Sequence, residues 1–285
     1  MKKILVATDF STRSDRAIRR AILLAKKFEA AISLVHVVDD DRPKRIVDAE
    51  RESASMLLSE LARSLRELDG VDCSASVTLG SVSKELIKTA EASMSDVLVI
   101  GPHRHQALQD VFVGTTAERT IRMRRRPVLV ASGVPASSYR HILVAVDFSD
   151  CSKNALRVVS DLGLDNHAAV SAVHVFDAPV RGYMGLGSAS DHQIEDYLAR
   201  EKVRAAGDLA VFMRGLEFAP TRHVLKLNES STAYVICATA RELSADLIVV
   251  STRGRTGMTK LLLGSVAEEV LHISDCDVLA VPPDA

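Results

Sequence analysis

Between Ser251 and Ser265 the chain carries three glycines (Gly254, Gly257, Gly264) and three cations (Arg253, Arg255, Lys260). Glycines let a backbone approach a phosphate closely and turn its N–H groups toward it. Ser265 opens a helical pattern, and a helix N-terminus is a ready anion site. Asp147 follows a short apolar run and offers oxygens that could accept hydrogen bonds from ribose hydroxyls. Together these residue types would hold a nucleotide. A plainer reading uses the same residues. Ser265-x-x-Glu268 and Thr115-x-x-Glu118 have the spacing of capping boxes, which start helices without any ligand. Glycines in a long loop also serve turns alone.

The elements that must position these residues come from an internal repeat, which fixes the architecture first. Residues Ile4 to Asp39 align without a gap onto Ile142 to Asp177, at an offset of 142 − 4 = 138, with half the positions identical. Asp96 to Ala131 align onto Asp246 to Val281, at an offset of 246 − 96 = 150. Each copy alternates short apolar runs with helical patterns. The runs are Ile4 to Ala7, Ile32 to Val38, Cys73 to Thr78, Val97 to Gly101 and Val128 to Ala131. Their counterparts are Ile142 to Val146, Val170 to Phe176, Arg222 to Leu227, Leu247 to Ser251 and Val278 to Val281. Ala17, Ala21, Leu24 and Phe28 fall on one helical face. Longer helical patterns run from about Lys44 to Leu68 and from about Ile194 to Arg214, and the last helices are Thr115 to Arg125 and Ser265 to Ile273. Strands alternating with helices mean βαβ units, a parallel sheet and right-handed crossovers. The expected class is α/β, as two repeated doubly wound domains at 1–134 and 138–285, joined by the Pro- and Ser-containing linker Gly133 to Arg140. The second copy has 150 − 138 = 12 extra residues, placed in Ala178 to Ser190 around Gly182, Gly185 and Gly187. They read either as a lid or as a tolerated surface insertion.

In an open parallel sheet, ligands bind beyond the carboxyl ends of the strands. Asp9 or Asp147, the turn at Val37 or Val175, and the glycine loop all collect at that edge. Asp96 and Asp246 precede the fourth strand, which puts them at the opposite edge. No Walker lysine follows the loop and no residue is evidently placed to activate water, so a fast ATPase is not expected.

Composition narrows the classes further. At 285 residues with a net charge of −1, the chain can bury two cores and carries no field favouring nucleic acid or an anionic membrane. The basic run Arg122, Arg124, Arg125, Arg126 sits at the end of a helical pattern, where cations complement exposed carbonyls. Cys73, Cys151, Cys237 and Cys276 show no paired spacing, so a reducing, cytoplasmic setting is expected, with no zinc site. No apolar stretch is long enough to span a bilayer. His36 and His174 recur at one strand position and read as structural; His103 and His105 lack the partners a metal needs.

The chain resembles tandem universal stress proteins (the universal stress protein A family) over essentially all of both halves. The ILVA-x-DFS start, the His-Val at the end of strand two and the glycine loop carry the resemblance. Nucleotide-binding members of that family share G-x2-G-x9-G-[S/T]. The second copy matches at Gly254, Gly264 and Ser265, with Ser251 in place of the first glycine. The first copy matches at Gly101, Gly114 and Thr115, but Arg104 replaces the second glycine and follows Pro102. The resemblance implies a five-stranded sheet of order 3-2-1-4-5 in each domain, helices on both faces, and pairing of domains through the fifth strands. It implies that the aspartate contacts ribose and that the backbone near Val175 or Val37 reads adenine. ATP, with Mg²⁺ as its companion, is expected in the second copy. Arg104 places a long side chain where phosphates would pass, and Pro102 lacks an amide donor. The first copy is therefore expected to bind ATP weakly or not at all; the opposing reading has Arg104 replace the lost amides by contacting phosphate directly. The functional reading is a stress-response module signalling through bound nucleotide; a scaffold without nucleotide and a slow hydrolase are its rivals. A homodimer is compatible with the sequence.

Overall fold

A computed structural model describes residues 1–102, 116–123, 126–179, 190–216, 220–254 and 263–284. Arg104, Gly114, Thr115, the histidines at 103 and 105, Arg124, Arg125, Arg255, Gly257, Lys260 and most of the 178–190 insertion lie outside them.

The first copy runs β1 (Lys3–Ala7), α1 (Thr12–Phe28), β2 (Ala31–Val38), α2 (Lys44–Glu67), β3 (Cys73–Leu79), α3 (Val82–Ala92), β4 (Val97–Ile100), α4 (Thr116–Met123) and β5 (Val128–Val130). The second runs β6 (His141–Ala145), α5 (Asp150–Asp161), a 3-10 turn (Leu164–Asn166), β7 (Ala169–Phe176), α6 (Asp191–Met213), β8 (Arg222–Leu227), α7 (Thr232–Glu242), β9 (Leu247–Ser251), α8 (Ser265–Ile273) and β10 (Asp277–Val281). Helix α6 starts earlier than its apolar pattern suggests. Ser190 and Gln193 form a capping box there, which fixes the first turn ahead of Ile194.

Among the described residues, ten strands join one sheet, in the order β3-β2-β1-β4-β5-β10-β9-β6-β7-β8. Each copy thus has the order 3-2-1-4-5, the second mirrored onto the first. Pairing within each copy is parallel. The copies meet by antiparallel pairing of β5 with β10, in the register Val278↔Val130, Leu279↔Leu129 and Ala280↔Val128. Apolar side chains alternate between two layers that both cross this seam. Ile4, Leu129, Val249 and Leu279 lie in one layer; Leu5, Val128, Leu143 and Val278 lie in the other. Burying a Val or Leu contributes roughly 1.5–3 kcal/mol, so two unpaired fifth strands would forfeit much of this layer.

One polar cluster interrupts the apolar seam. Asp277, at the start of β10, has no solvent exposure. Its carboxylate accepts from Arg20 Nε at 2.6 Å, from the Tyr139 hydroxyl at 2.7 Å and from the Gly133 amide at 2.8 Å. Arg20 also donates to the Ser137 carbonyl at 2.7 Å and lies over the Tyr139 ring at 4.3 Å. Burial pushes the Asp277 carboxyl upward, against the pull of Arg20, Tyr139 and Gly133. Burial and the Asp277 charge hold the Tyr139 phenol well above its ordinary value, so it stays a donor. The cluster has no twin in the repeat, because the equivalents of Arg20 and Asp277 are Val158 and Pro127.

Replacing Asp277 with Ala strands a buried guanidinium, and the expected cost is about 3–5 kcal/mol. Urea denaturation followed by circular dichroism reads this as a lowered midpoint. The double variant Arg20→Met with Asp277→Leu should recover most of it. A single variant within a few tenths of a kcal/mol of wild type would show that the cluster is not holding the seam.

Candidate functional site

The same turn follows the first strand of each copy, and it is built from three local constraints. Asp9 Oδ1 accepts from the Ser11 amide at 3.0 Å, and Asp147 Oδ1 from the Ser149 amide at 3.1 Å. Each serine hydroxyl donates to the same oxygen, and its own oxygen accepts the amide of Ser14 or Ser152 as the helix N-cap. Between them Phe10 and Phe148 adopt left-handed φ values of 59° and 66°, costly for an aromatic residue. A histidine secures each. His36 Nδ1 meets the Thr8 carbonyl at 2.8 Å, and His174 Nδ1 meets the Val146 carbonyl at 2.9 Å. With a carbonyl as acceptor, Nδ1 carries the proton. The rings pack on Phe10 and Phe148 at centroid distances of 4.6 and 4.0 Å. The recurring histidines therefore lock the turn that carries the aspartate. Their signal in sequence is the joint repetition of Asp-Phe-Ser and His-Val. Burial disfavours the Asp9 carboxylate, yet the Ser11 hydroxyl and amide outweigh it and hold the group below its ordinary range.

A cavity opens at this edge in each copy. The second, of about 280 Å³, is lined by Asp147, Val175, Ser251, Gly254, Gly264 and Ser265, together with His174 and Arg253. The six residues singled out in the second copy thus share one cavity. The first, of about 400 Å³, is lined by Asp9, Val37 and Gly101, with Pro102, Arg13 and Ala117. Gly114 and Thr115 lie outside the described residues.

The glycines have different physical reasons. A Cβ on Gly254 would lie 2.9 Å from Asp147 Oδ2, so the loop backbone passes directly over the carboxylate. A Cβ on Gly264 would meet only ordinary contacts, the nearest being Thr252 O at 3.5 Å. A Cβ on Gly101 would come within 2.7 Å of the Arg13 carbonyl. That glycine is needed for β4 to pack against the first turn of α1, whatever occupies the cavity. The Ser251 hydroxyl donates to the Arg253 carbonyl at 2.9 Å and ties the loop to the strand end.

The capping box expected at Ser265 and Glu268 is not formed. Gly264 is the N-cap of α8 (φ −63°, ψ 140°), Ser265 is the first helical residue, and no side chain caps the turn. Glu268 faces the other copy instead, where Arg122 reaches it at 3.4 Å. Arg122 is therefore committed to carboxylates rather than to the carbonyls at its own helix end. The repeat makes this a crossed pair, since Glu118 is equivalent to Glu268 and Arg122 to His272. His272 Nε2 lies 3.0 Å from Glu118 Oε1. Glu118, Glu268 and His272 bring three ligand atoms within 4.8 Å of one another. Arg122 already engages both carboxylates, so the cluster reads as ion pairing. Asp96 and Asp246 lie at the far sheet edge and accept the amides of Lys2, Lys3, Arg140 and His141.

The sequence model of the universal stress protein family matches this chain twice, over residues 1–132 and 138–282. A universal stress protein of Mycolicibacterium smegmatis is 26% identical over 301 residues, covering 98% of this chain and 97% of that protein. Universal stress protein A homolog 1 of Coxiella burnetii is 32% identical over 144 residues, covering 50% of this chain and 96% of its own. Two crystal structures share the fold at 20% identity. One is a functionally unknown protein of Pseudomonas aeruginosa, with a TM-score of 0.72, covering 100% of this chain and 93% of that one. The other is a universal stress protein of Archaeoglobus fulgidus, with a TM-score of 0.68, covering 99% of this chain and 98% of its own.

Ser149→Ala removes the α5 cap and one anchor of Asp147 together. The expected loss is about 1 kcal/mol of stability, read as a shift of the urea midpoint. An unchanged midpoint would mean that the cap does not stabilise this turn.

Proposed function

Because the chain belongs to the universal stress protein family, we propose that it is a regulatory adenine-nucleotide-binding protein that holds ATP chiefly in its second domain. The domain limits are taken as 1–134 and 138–285. The observation that supports this best is the 280 Å³ cavity, where Asp147, the Gly254 backbone and the uncapped start of α8 converge. In this reading Asp147 Oδ2 accepts from ribose hydroxyls while Ser149 holds Oδ1. The backbone at Val175 reads the adenine edge. Amides from Ser251, Gly254 and Ser265 face the phosphates, at a helix end whose partial charge favours anions, while the Gly264 amide donates to the Thr252 carbonyl at 2.9 Å and holds the loop against that helix start. Arg253 adds a cation. Mg²⁺ would travel with the phosphates rather than on a carboxylate of the site.

Signalling fits this site better than turnover. Among the described residues lining the cavity, Asp147 is the single carboxylate, and its bonds to Ser149 favour positioning over proton transfer. ATP bound at Gly254, Gly264 and Ser265 would change the surface around the cavity mouth and so report the nucleotide state. Among the described residues, no helix is long and apolar enough to cross a membrane. A cytoplasmic setting suits a nucleotide sensor with four free cysteines. Both fifth strands are already paired inside the chain, so a homodimer would have to use another surface.

Calorimetry of ATP with the full chain tests the reading. Wild type should bind one ATP. Gly264→Asp should abolish binding through its charge, because a side chain there meets only ordinary contacts. Gly254→Ala, which must displace the Asp147 carboxylate, should weaken binding about tenfold or more, as should Asp147→Ala. Wild type without ATP binding, or a Gly264→Asp variant that binds like wild type, would overturn it.

A further inference from the structure

We propose that the chain dimerises through the open edge of its sheet at β3, pairing that strand antiparallel with β3 of a second copy.

The sheet ends at β3 on one side and at β8 on the other. Among the described residues, no strand pairs with the outer side of either. An open edge is a template for another chain, and charged side chains, proline or a bulge normally blunt it. The two edges differ in this respect. β8 reads Arg-His-Val-Leu-Lys-Leu and carries Arg222 and Lys226. β3 reads Cys-Ser-Ala-Ser-Val-Thr-Leu, with no charged residue and no proline.

The groups that β3 offers follow from its register. The Ile32 amide donates to the Asp72 carbonyl, and the Gly80 amide to the Val38 carbonyl. With Ile32 beside Cys73 and Val38 beside Leu79, the backbones of Ser74, Ser76 and Thr78 bond to β2. Those of Cys73, Ala75, Val77 and Leu79 point outward. Arg66 already donates to the Cys73 carbonyl. The centre of the strand is accessible, since Ser74, Ala75 and Ser76 are exposed. A two-fold axis at Ser76 sets Ala75 opposite Val77 of the partner subunit, and each exchanges both main-chain bonds with the other.

The helix layer favours a second copy over an unrelated peptide. Helix α2 packs on both β2 and β3. Pairing at β3 therefore puts two α2 helices roughly 10 Å apart, the spacing of packed helices. Arg66 marks the side of α2 that faces the edge. Asp48, Ser55 and Ser59 share that side at helical spacing, and all four residues are exposed. In the antiparallel pair, Arg66 meets Asp48 of the partner subunit, and Ser55 meets Ser59 of the partner subunit. The row is thus complementary to itself in charge, with small residues where the helices come nearest. Its midpoint falls between Arg66, which reaches Cys73, and Ala54, which packs with Val77. One two-fold axis near Ser76 serves strand and helix alike.

Sedimentation velocity of the full chain at micromolar concentration should give a dimer of 30.8 kDa chains. Ala75→Pro removes an amide that β2 does not use, and should weaken association about tenfold or more at an unchanged urea midpoint. Ser76→Cys tests the register without breaking a bond. Directly opposed residues of a non-hydrogen-bonded antiparallel pair have Cα atoms about 4.5 Å apart, within disulfide reach. Diamide should therefore cross-link Ser76→Cys into a covalent dimer. Ser74→Cys lies on the same sheet face but roughly 14 Å from its copy across the axis. It should stay uncross-linked, like wild type. A monomeric wild type, a dimer that folded Ala75→Pro leaves intact, or equal cross-linking of Ser74→Cys and Ser76→Cys would each overturn the proposal. If Ala75→Pro lowers the urea midpoint, the two cysteine variants decide alone.

Discussion

The Asp277 carboxylate, fully buried where the two copies meet, is the constraint around which the rest is arranged. It joins α1 of the first copy, the linker and the first residue of β10 in one set of charge-assisted bonds. A buried charge tolerates few geometries, because losing any partner leaves desolvated polarity behind. The apolar register of β5 on β10 supplies most of the attraction at the seam, but apolar contact is non-directional. The Arg20–Asp277–Tyr139 cluster adds direction. It reinforces the orientation that the antiparallel register of β5 on β10 gives the two domains.

Repetition and divergence divide the molecule by physical role. What repeats is what any occupant of the cavity needs: a carboxylate held by a capping serine, on a turn strained through a phenylalanine and locked by a histidine. Such strain persists only when its surroundings over-determine it, and both copies retain every element of the lock. What diverges is the charge arrangement beside it. The second copy puts its cation, Arg253, on the strand-four side, with glycine backbone over Asp147. The first puts Arg13 on the helix side and a proline where the second copy has Thr252.

The crossed pairs tie these sites to the seam. Glu118 and Glu268 sit in helices whose first turns border the two cavities, and each meets the other copy's Arg122 or His272. The side chain that would have capped α8 is thereby drawn away, which leaves the start of that helix to backbone and ligand. Local capping and long-range pairing compete for the same glutamate. The long-range contact wins because Arg122 offers an opposite charge, and because with Gly264 as the N-cap Glu268 falls one residue beyond the capping-box position.

The sequence by itself determined the repeat, the element order, the class of sheet and the edge at which the site lies. These follow from short continuous apolar runs, from period-3.6 helical patterns and from the topology rules of parallel strands. The second-copy residues from Asp147 to Ser265 were legible because glycine and charge spacing carry their chemistry along the chain. Only the tertiary structure decided that Gly264 rather than Ser265 caps α8, that Gly101 serves packing against Arg13, and that Arg20 meets Asp277 across 257 residues. Arg13 shows the same limit. Its sequence neighbours mark it as an ordinary helix cation, and only the fold places it on the wall of the first cavity, which Asp9 also lines. Desolvation and partner choice depend on what the other 284 residues bring near a group, and no local pattern encodes that.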